Sequence, residues 1–417
     1  MARSAAYDDI LLLERAGDPD WAAATGARDF RITATHRIAD VEPVWRELTA
    51  KSIESPGQSI DFTRLWIDAL GIAERDQYYV VANLDDAPIA LVPLQRCWDK
   101  GARVLSWFPG SHVGCNAPIV DVARLQSLSA DERRKLWNRL LRSIADADLV
   151  HMRSVPHLAV DGVDLFAEMG QILDADTLYR AAFTSFEEAD RTQRNKSRRK
   201  HDRQQGDRLQ ALGEVSFAEL GNGPEALAVL ETMFHQRAAR FREMGVFDPF
   251  AVPAIRRFYD ATAREGSGVT VKLHVLRLDG EIVAVRYNIE HGDRLFCLIS
   301  SMSDDPSIQN GSPGKQCLLR VMQTTFEQGY RVFDMGEGLT DEKRHWCNQQ
   351  IAVRHHYMPI TRRGAVATQA HMGWHRLRTR IKHDEKLLAW AKGFRGTMLR
   401  MTGRAEETSR PSSPHEE

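Results

Sequence analysis

The chain has 417 residues, 43% of them hydrophobic and 27% charged, with 56 Lys and Arg against 57 Asp and Glu. That length allows two or three domains, the apolar share is ordinary for a globular protein, and a net charge of −1 singles out neither DNA nor an acidic surface as partner. Five cysteines (Cys97, Cys115, Cys297, Cys317, Cys347) are odd in number and never form a CxxC, which argues for reduced thiols and against a zinc module. No apolar run reaches the ~20 residues of a transmembrane segment, and the start lacks a signal-peptide pattern, so the expected location is cytoplasmic.

Residues 1–28 mix Asp, Ala and Gly around one apolar patch, Ile10 to Leu13, and are expected to be disordered. A strand opens at Phe30. Helices follow over 40–50, with Val44, Trp45 and Leu48 inward, and from Asp61, its cap, to Gly71, its terminator. Strands over 78–83, 89–94 and 104–108, a glycine-bearing turn over 109–116, a helix over 131–144 and a strand over 149–152 complete an α/β layer. The most basic run is Arg191, Arg194, Lys196, Arg198, Arg199, Lys200, Arg203 and Arg208. It carries no aromatic residue for base stacking and reads as a solvated linker helix. Contact with phosphates of a nucleotide-linked ligand, or with tRNA, is the alternative.

From residue 224 the pattern sharpens. Helices over 224–244 (Leu227, Leu230, Phe234 inward) and 253–265 (Ile255, Phe258, Tyr259) end at Gly245 and Gly266. Strands over 269–278 and 281–290 flank Asp279-Gly280, a strong hairpin signal, and a third strand covers 295–299. Then come the turn Gln309, Asn310, Gly311, Ser312, Pro313, Gly314 and Lys315, a helix with Leu319, Met322 and Phe326 on one face, Gly329 as its stop, and a buried strand over 332–335. A last strand spans 351–360. Trp374, Leu377, Ile381 and Leu388 share a stripe on a basic helix, which packs on its own domain or lies on a membrane surface or partner. Residues 396–417 read as a disordered tail.

The turn has a specific chemistry. Ser312 suits an N-cap and Pro313 the first helical position. Gly311 and Gly314 let a ligand approach the backbone, and free amides, helix dipole and Lys315 favour an anion such as phosphate. An ordinary helix entry after a loop would look the same. The pattern is neither a Walker A loop nor a dinucleotide fingerprint.

The strand, glycine turn, helix and strand resemble the coenzyme A-binding core of GNAT acyltransferases. Ser312-Pro313-Gly314, Phe333-Asp334-Met335, Gly338, Lys343 and Trp346 resemble the C-terminal signature of its CelD-like (cellulose-biosynthesis type) branch, related to FemAB aminoacyl transferases. Glu342 stands where that pattern has tyrosine. Asn116-Ala117-Pro118 resembles the Asn-x-Pro of a first, degenerate GNAT-like domain. The resemblance implies an α/β (α+β) fold of two tandem GNAT-like domains, each a mixed, largely antiparallel sheet flanked by helices. The first would cover 29–185, a basic linker helix 186–223, and the acyl-CoA domain with its basic amphipathic C-terminal helix 224–395.

Acetyl-CoA or another acyl-CoA would be held by residues 309–315, with its thioester near Leu298-Ile299 and Phe333-Asp334. Acyl transfer needs a base, donors for the developing oxyanion and a proton for the thiolate. Glu337 and Asp334 are the nearest carboxylates, Glu337 favoured because it lies past the strand. Lys343 matches a lysine that in FemAB-type enzymes stabilises charge on the carbonyl under attack, Trp346 would pack beside it, and Asn116 would bind substrate. Tyr287 and Tyr330 are candidate thiolate acids. No Cys–His pairing, nucleophile elbow or metal-ligand spacing stands out; His355 and His356 are adjacent and would point to opposite faces of a strand. The reading implied is an acyl-CoA-dependent N- or O-acyltransferase with a small-molecule or saccharide acceptor, such as an amino-sugar of envelope or exopolysaccharide synthesis. The alternatives are a FemAB-like transferase using aminoacyl-tRNA and a non-catalytic accessory protein of polysaccharide assembly.

Overall fold

The structure is a computed structural model and describes residues 29–99, 101–144 and 146–383. The expectations for residues 1–28, Leu388 and the tail 396–417 lie outside the described residues, as does the side chain of Ile381.

The first half contains β1 (Phe30–Thr35), α1 (Ile38–Thr49), α2 (Ile60–Leu70), β2 (Gln77–Leu84), β3 (Ala87–Asp99), β4 (Ala102–Ser106), β5 (Ile119–Val120), α3 (Val122–Gln126), α4 (Ala130–Arg142) and β6 (Leu149–Pro156). A small ribbon, β7 (Ala159–Val160) with β8 (Val163–Asp164), precedes β9 (Gln171–Ala182), α5 (Phe186–Gln193) and α6 (Lys196–Gln210). The second half contains β10 (Val215–Leu220), α7 (Pro224–Met244), α8 (Pro253–Thr262), β11 (Thr270–Leu278), β12 (Glu281–His291), β13 (Arg294–Met302), α9 (Pro313–Glu327) and β14 (Val332–Glu337). The chain closes with α10 (Asp341–Trp346), β15 (Gln349–Pro359) and α11 (Arg362–His383).

Local chemistry explains the element ends. Asp85 and Asp86, at φ 49° and 62°, and Asp279 and Gly280, at 49° and 83°, make the tight hairpins β2–β3 and β11–β12. Ser59, and not the expected Asp61, caps α2: its Oγ accepts from the Phe62 N–H at 3.4 Å, while Asp61 pairs with Arg46 at 3.0 Å. Gly71 and Gly245 close α2 and α7 in the left-handed region. The buried stripe of α9 runs through Leu318, Val321, Met322 and Phe326; the expected Leu319 is only half-buried.

The halves follow one plan. In each, four strands are antiparallel (β1-β2-β3-β4 and β10-β11-β12-β13), and a fifth pairs parallel to the fourth. A parallel pair needs a crossover connection, supplied by α3 and α4 in one half and by α9 in the other. The strands that come next are exchanged. β9 follows β6 in the chain but pairs with β14, and β15 follows β14 but pairs with β6. β9 and β15 then pair with each other from Gln349↔Arg180 to Tyr357↔Gln171. The result is a single mixed, largely antiparallel sheet through both halves, flanked by helices, where two separate sheets were expected.

The expected linker 186–223 also contributes the edge strand β10, paired from Val215↔Leu278 to Leu220↔Leu273. One apolar core spans both halves: Phe62 and Trp66 of α2 meet the Phe258 ring of α8 at 4.9 and 5.0 Å. Each such buried ring contributes about 1.5–3 kcal/mol, so the halves are joined by packing as well as by strands. α11 turns Ala367 and Met372 to the sheet, while Trp374 and Leu377 of the expected stripe are exposed. Among the described residues no helix is long and apolar enough to cross a membrane.

Candidate functional site

β13 and β14 run side by side briefly and then part. Their parallel register ends at Phe296↔Asp334, whereas the other edge of β13 stays paired to β12 as far as Met302↔Ala284. Beyond Phe296, β13 therefore offers the gap an edge of backbone N–H and C=O groups that require partners. Leu298 is a bulge: Cys297 faces Asn288 and Ile299 faces Tyr287, leaving Leu298 with no partner in register. The gap is a cleft of about 460 Å³ lined by residues 297–300 and 335–337 and by Lys343. Past Arg286 and Glu342 it continues into an outer cavity of about 590 Å³ that reaches Gln309 and Gly314 at the start of α9.

The first half supplies the facing wall. A Cβ on Gly114 would lie 2.8 Å from the Gly336 Cα, so glycine alone lets this loop touch the end of β14. Beside it, Ser154 sits at φ 56°, a left-handed position that costs a non-glycine residue about 1–3 kcal/mol. Its N–H donates to His355 Nδ1 at 3.1 Å and its carbonyl accepts from the Asn116 N–H at 2.9 Å. Ser154 and Glu337 line the same cleft, and Ser154 pulls the Glu337 pKa downward.

Glu337 is the carboxylate the cleft presents. Burial raises its pKa above the ordinary carboxylate range, against the opposing pulls of Ser154 and the Lys343 charge. Its Oε1 is buried and has no hydrogen-bond partner among the described residues. A carboxylate so placed suits a general base. Lys343 lines the same cleft, but its Nζ donates to the carbonyls of Gly336, Glu337 and Gly338 at 3.2, 2.5 and 2.9 Å. An ammonium has three donors, so this geometry holds the 336–338 segment and leaves none for a substrate carbonyl.

Asp334 needs correction. Its Oδ2 accepts from Arg180 Nε at 2.7 Å and its Oδ1 from the Gly336 N–H at 2.8 Å. It is 3% exposed, outside the cleft lining, and part of a buried chain in which Arg180 and Arg294 also bind Glu54 of the first half. It holds the halves together; it does not face substrate. Trp346 is likewise core, with the Arg194 guanidinium 5.2 Å above its ring and Phe186 at 6.4 Å. Asn116 is buried and its Nδ2 donates to the Gly110 carbonyl at 3.1 Å, shaping the loop rather than lining the cleft. Tyr287 is buried with its hydroxyl 2.7 Å from Thr262 Oγ1, and neither it nor Tyr330 lines the cleft.

The turn is also built differently from expectation. Ser312 adopts a left-handed φ of 48° and makes no side-chain cap; its Oγ accepts from Gln205 Nε2 at 2.7 Å. The Gly311 and Ser312 amides donate to the carbonyls of Ile308 and Gln309. Gly311 admits Leu209 of α6, against which a Cβ would lie at 2.8 Å. Gln309 Nε2 donates to the Ser303 carbonyl at 2.8 Å, Asn310 is exposed and Pro313 is buried. Lys315 Nζ lies 3.5 Å from Asp341 Oδ2. What remains for an anion is the Gly314 N–H, which makes no hydrogen bond to a described residue, together with the Lys315 charge.

Sequence reading missed Arg286, Arg237, His112, Tyr259 and Ser154. Arg286 is 4% exposed, donates to Glu342 Oε2 at 2.7 Å, and lines both cavities. A signal existed: a lone arginine inside the apolar run Val283 to Ile289 of a central strand demands a buried partner. Glu342, noted only as a departure from the tyrosine pattern, is that partner. His112, whose pKa burial lowers, stands 3.2 Å from the Tyr259 hydroxyl at the far wall, and no local pattern marks either residue.

Residues 196–344 match the acetyltransferase (GNAT) domain family. Over those residues the chain is similar to a GNAT acetyltransferase domain. The match runs from the first residue of α6 into α10, so it holds Arg286, the parting strands, Glu337 and Lys343, and leaves out the wall from the first half. Among solved structures, that of FemX aligns at 11% identity and a TM-score of 0.48, covering 73% of this chain and 96% of FemX. L-PGS from Bacillus licheniformis aligns at 14% and 0.44, covering 77% and 97%. A tandem GNAT protein from the clavulanic acid pathway aligns at 12% and 0.40, covering 79% and 98%. No curated protein matches the sequence.

Proposed function

We propose that this protein is an acyl-CoA-dependent N- or O-acyltransferase whose donor lies in the gap between β13 and β14 and whose acceptor enters between the two halves. The observation that carries this reading is the pairing of an unzipped strand edge with a buried carboxylate, Glu337, at its mouth. An extended acyl-bearing arm hydrogen-bonds an exposed strand edge as an added strand would. The outer cavity, which Gly314 lines and Lys315 follows in the chain, takes the phosphates of the donor. The thioester carbonyl then lies at the Leu298 bulge, where a backbone N–H outside the ladder serves as oxyanion donor.

Glu337 removes the proton from the attacking amine or hydroxyl, a service worth about 10²–10⁴ in rate. The new bond forms between that nitrogen or oxygen and the acyl carbon, the carbon–sulfur bond breaks, and the thiolate leaves with coenzyme A. Lys343 positions Glu337 by gripping the carbonyls on either side of it. A cleft of this size accommodates a saccharide or another small acceptor, including an amino-sugar of envelope or exopolysaccharide synthesis.

Coenzyme A release from acetyl-CoA over a panel of amines and sugars tests the reading. Glu337→Gln is expected to lower turnover by about 10²–10⁴ while acetyl-CoA still raises the melting temperature. Full activity in that variant would remove Glu337 from the chemistry. A second reading, transfer from aminoacyl-tRNA, is favoured by one feature: Arg191, Lys196, Lys200, Arg203 and Arg208 are all exposed around α6. Stabilisation by tRNA with strong salt sensitivity, and none by coenzyme A, would select it. Stabilisation by neither would favour an accessory protein.

A further inference from the structure

Two guanidinium groups meet where the inner cleft joins the outer cavity, and both are incompletely satisfied. Arg286 Nη2 donates to Glu342 and weakly, at 3.5 Å, to the Gly314 carbonyl, yet its Nε is buried without a hydrogen-bond partner among the described residues. Arg237, on α7, donates Nη1 to the Ser300 carbonyl at 3.3 Å and stacks its guanidinium 4.5 Å from the Phe241 ring; its Nε is buried and likewise without a partner there. Arg237 forms no ion pair with a described residue, and its burial lowers its pKa, with distant Asp248 only partly opposing. Arg237 is half-buried, with only its Nε withdrawn from solvent, and a guanidinium partly withdrawn and without a counter-charge gains from a ligand that supplies one.

Both arginines line both cavities, and Lys343 adds a third cation to the inner one, against Glu342 and Glu337. The ligand that satisfies such an arrangement is a planar or tetrahedral oxyanion, which a guanidinium fork grips in two directions. On the acyltransferase reading the donor's phosphates take the Gly314 N–H and Lys315 at the start of α9, next to Arg286, whose Nη2 reaches the Gly314 carbonyl. Phe241, on whose ring Arg237 stacks, lines the inner cleft with His112, Tyr259 and Glu337, the wall that an acceptor entering between the halves would face. We propose that Arg237 and Arg286 bind an anionic group of the acceptor, so that the substrate is an amine or alcohol that also bears a carboxylate or phosphate. This deepens the acyltransferase reading and rests on it.

The experiment compares matched acceptors with the full chain: D-glucosamine against D-glucosamine 6-phosphate, and glycinamide against glycine, each with acetyl-CoA. The parent protein is expected to favour the anionic member of a pair by roughly tenfold or more in kcat/KM. Arg237→Gln should erase that preference through the acceptor KM and leave the KM for acetyl-CoA unchanged, and Arg237→Lys should restore part of it. Equal use of neutral and anionic members by the parent would overturn the proposal. So would an Arg237→Gln effect confined to the acetyl-CoA KM, which would assign the anion to the donor. If no acceptor is acylated, the acyltransferase reading fails by itself, and inorganic phosphate then decides the site. Phosphate raising the melting temperature of the parent but not of Arg237→Gln keeps the anion site, and phosphate raising neither removes it.

Discussion

The two halves of the sheet place a parallel pair at the same point and treat the gap beyond it in opposite ways. In the first half, β4 and β6 pair at Val104↔Leu149 and Leu105↔Val150. Two residues further on, Trp107 is 3% exposed and its indole N–H donates to the Arg153 carbonyl of β6 at 2.9 Å, bridging the diverging strands with a ring. In the second half the last pair is Phe296↔Asp334, and the residue two further on is Leu298, a bulge on the wall of a cleft. The splay in the first half holds an indole, beside a cavity of about 480 Å³ lined by Ser106, Trp107 and Arg153, whereas the splay in the second half is left open as the candidate site. The Trp107 ring accounts for part of that difference, because the space strand divergence opens is filled either by the protein or by a ligand.

Trp107→Ala breaks the comparison on the closed side. It should cost about 3–5 kcal/mol in urea unfolding, with the stabilising effect of acetyl-CoA retained; an unchanged stability would mean that the indole does not bridge the gap. Leu298→Trp copies the closed side onto the open one. The ring should occupy the cleft and weaken acetyl-CoA binding by about tenfold or more, read by calorimetry, and parent affinity would show that the donor lies elsewhere.

The smallest effect is in pH. Glu337 has a raised pKa because of burial, and a base works only when ionised, so kcat/KM should fall as pH drops through a value above the ordinary carboxylate range. The stability sign is opposite. A raised carboxyl pKa means that the native state favours the protonated form, so its contribution to stability is complete below the unfolded-state pKa and is lost as pH rises through the folded one. Glu337→Gln should remove that loss, and a parent-like pH profile of stability in the variant would count against a raised pKa.

Much of the second half was legible because local rules governed it. Asp279-Gly280 made the expected hairpin, Gly245 stopped α7 as expected, and the order of helices, strands, turn, helix and strand matched. The site was less legible. Glu337 lies in the cleft, but Asp334 lies behind it in a salt-bridge chain to Arg180, only three residues away in sequence. Strand alternation and the direction in which β14 turns decide which of the two faces the gap. Ser312 and Gly311 fitted a phosphate turn by residue type and were taken up by Gln205 and Leu209, partners on α6 that no local pattern reveals.

By itself the sequence determined the period of most elements, many of their ends, and the presence of a glycine turn and of a short strand bearing carboxylates; Glu337, expected past that strand, is its last residue. Those are properties of a residue and its near neighbours. Only the tertiary structure decided that β9 and β15 change places, that Gly114 touches Gly336, and that Arg237 and Arg286 share one cleft. Each of these depends on contacts between residues far apart in the chain, whose free energy is fixed by packing across elements and leaves no periodic trace in either segment.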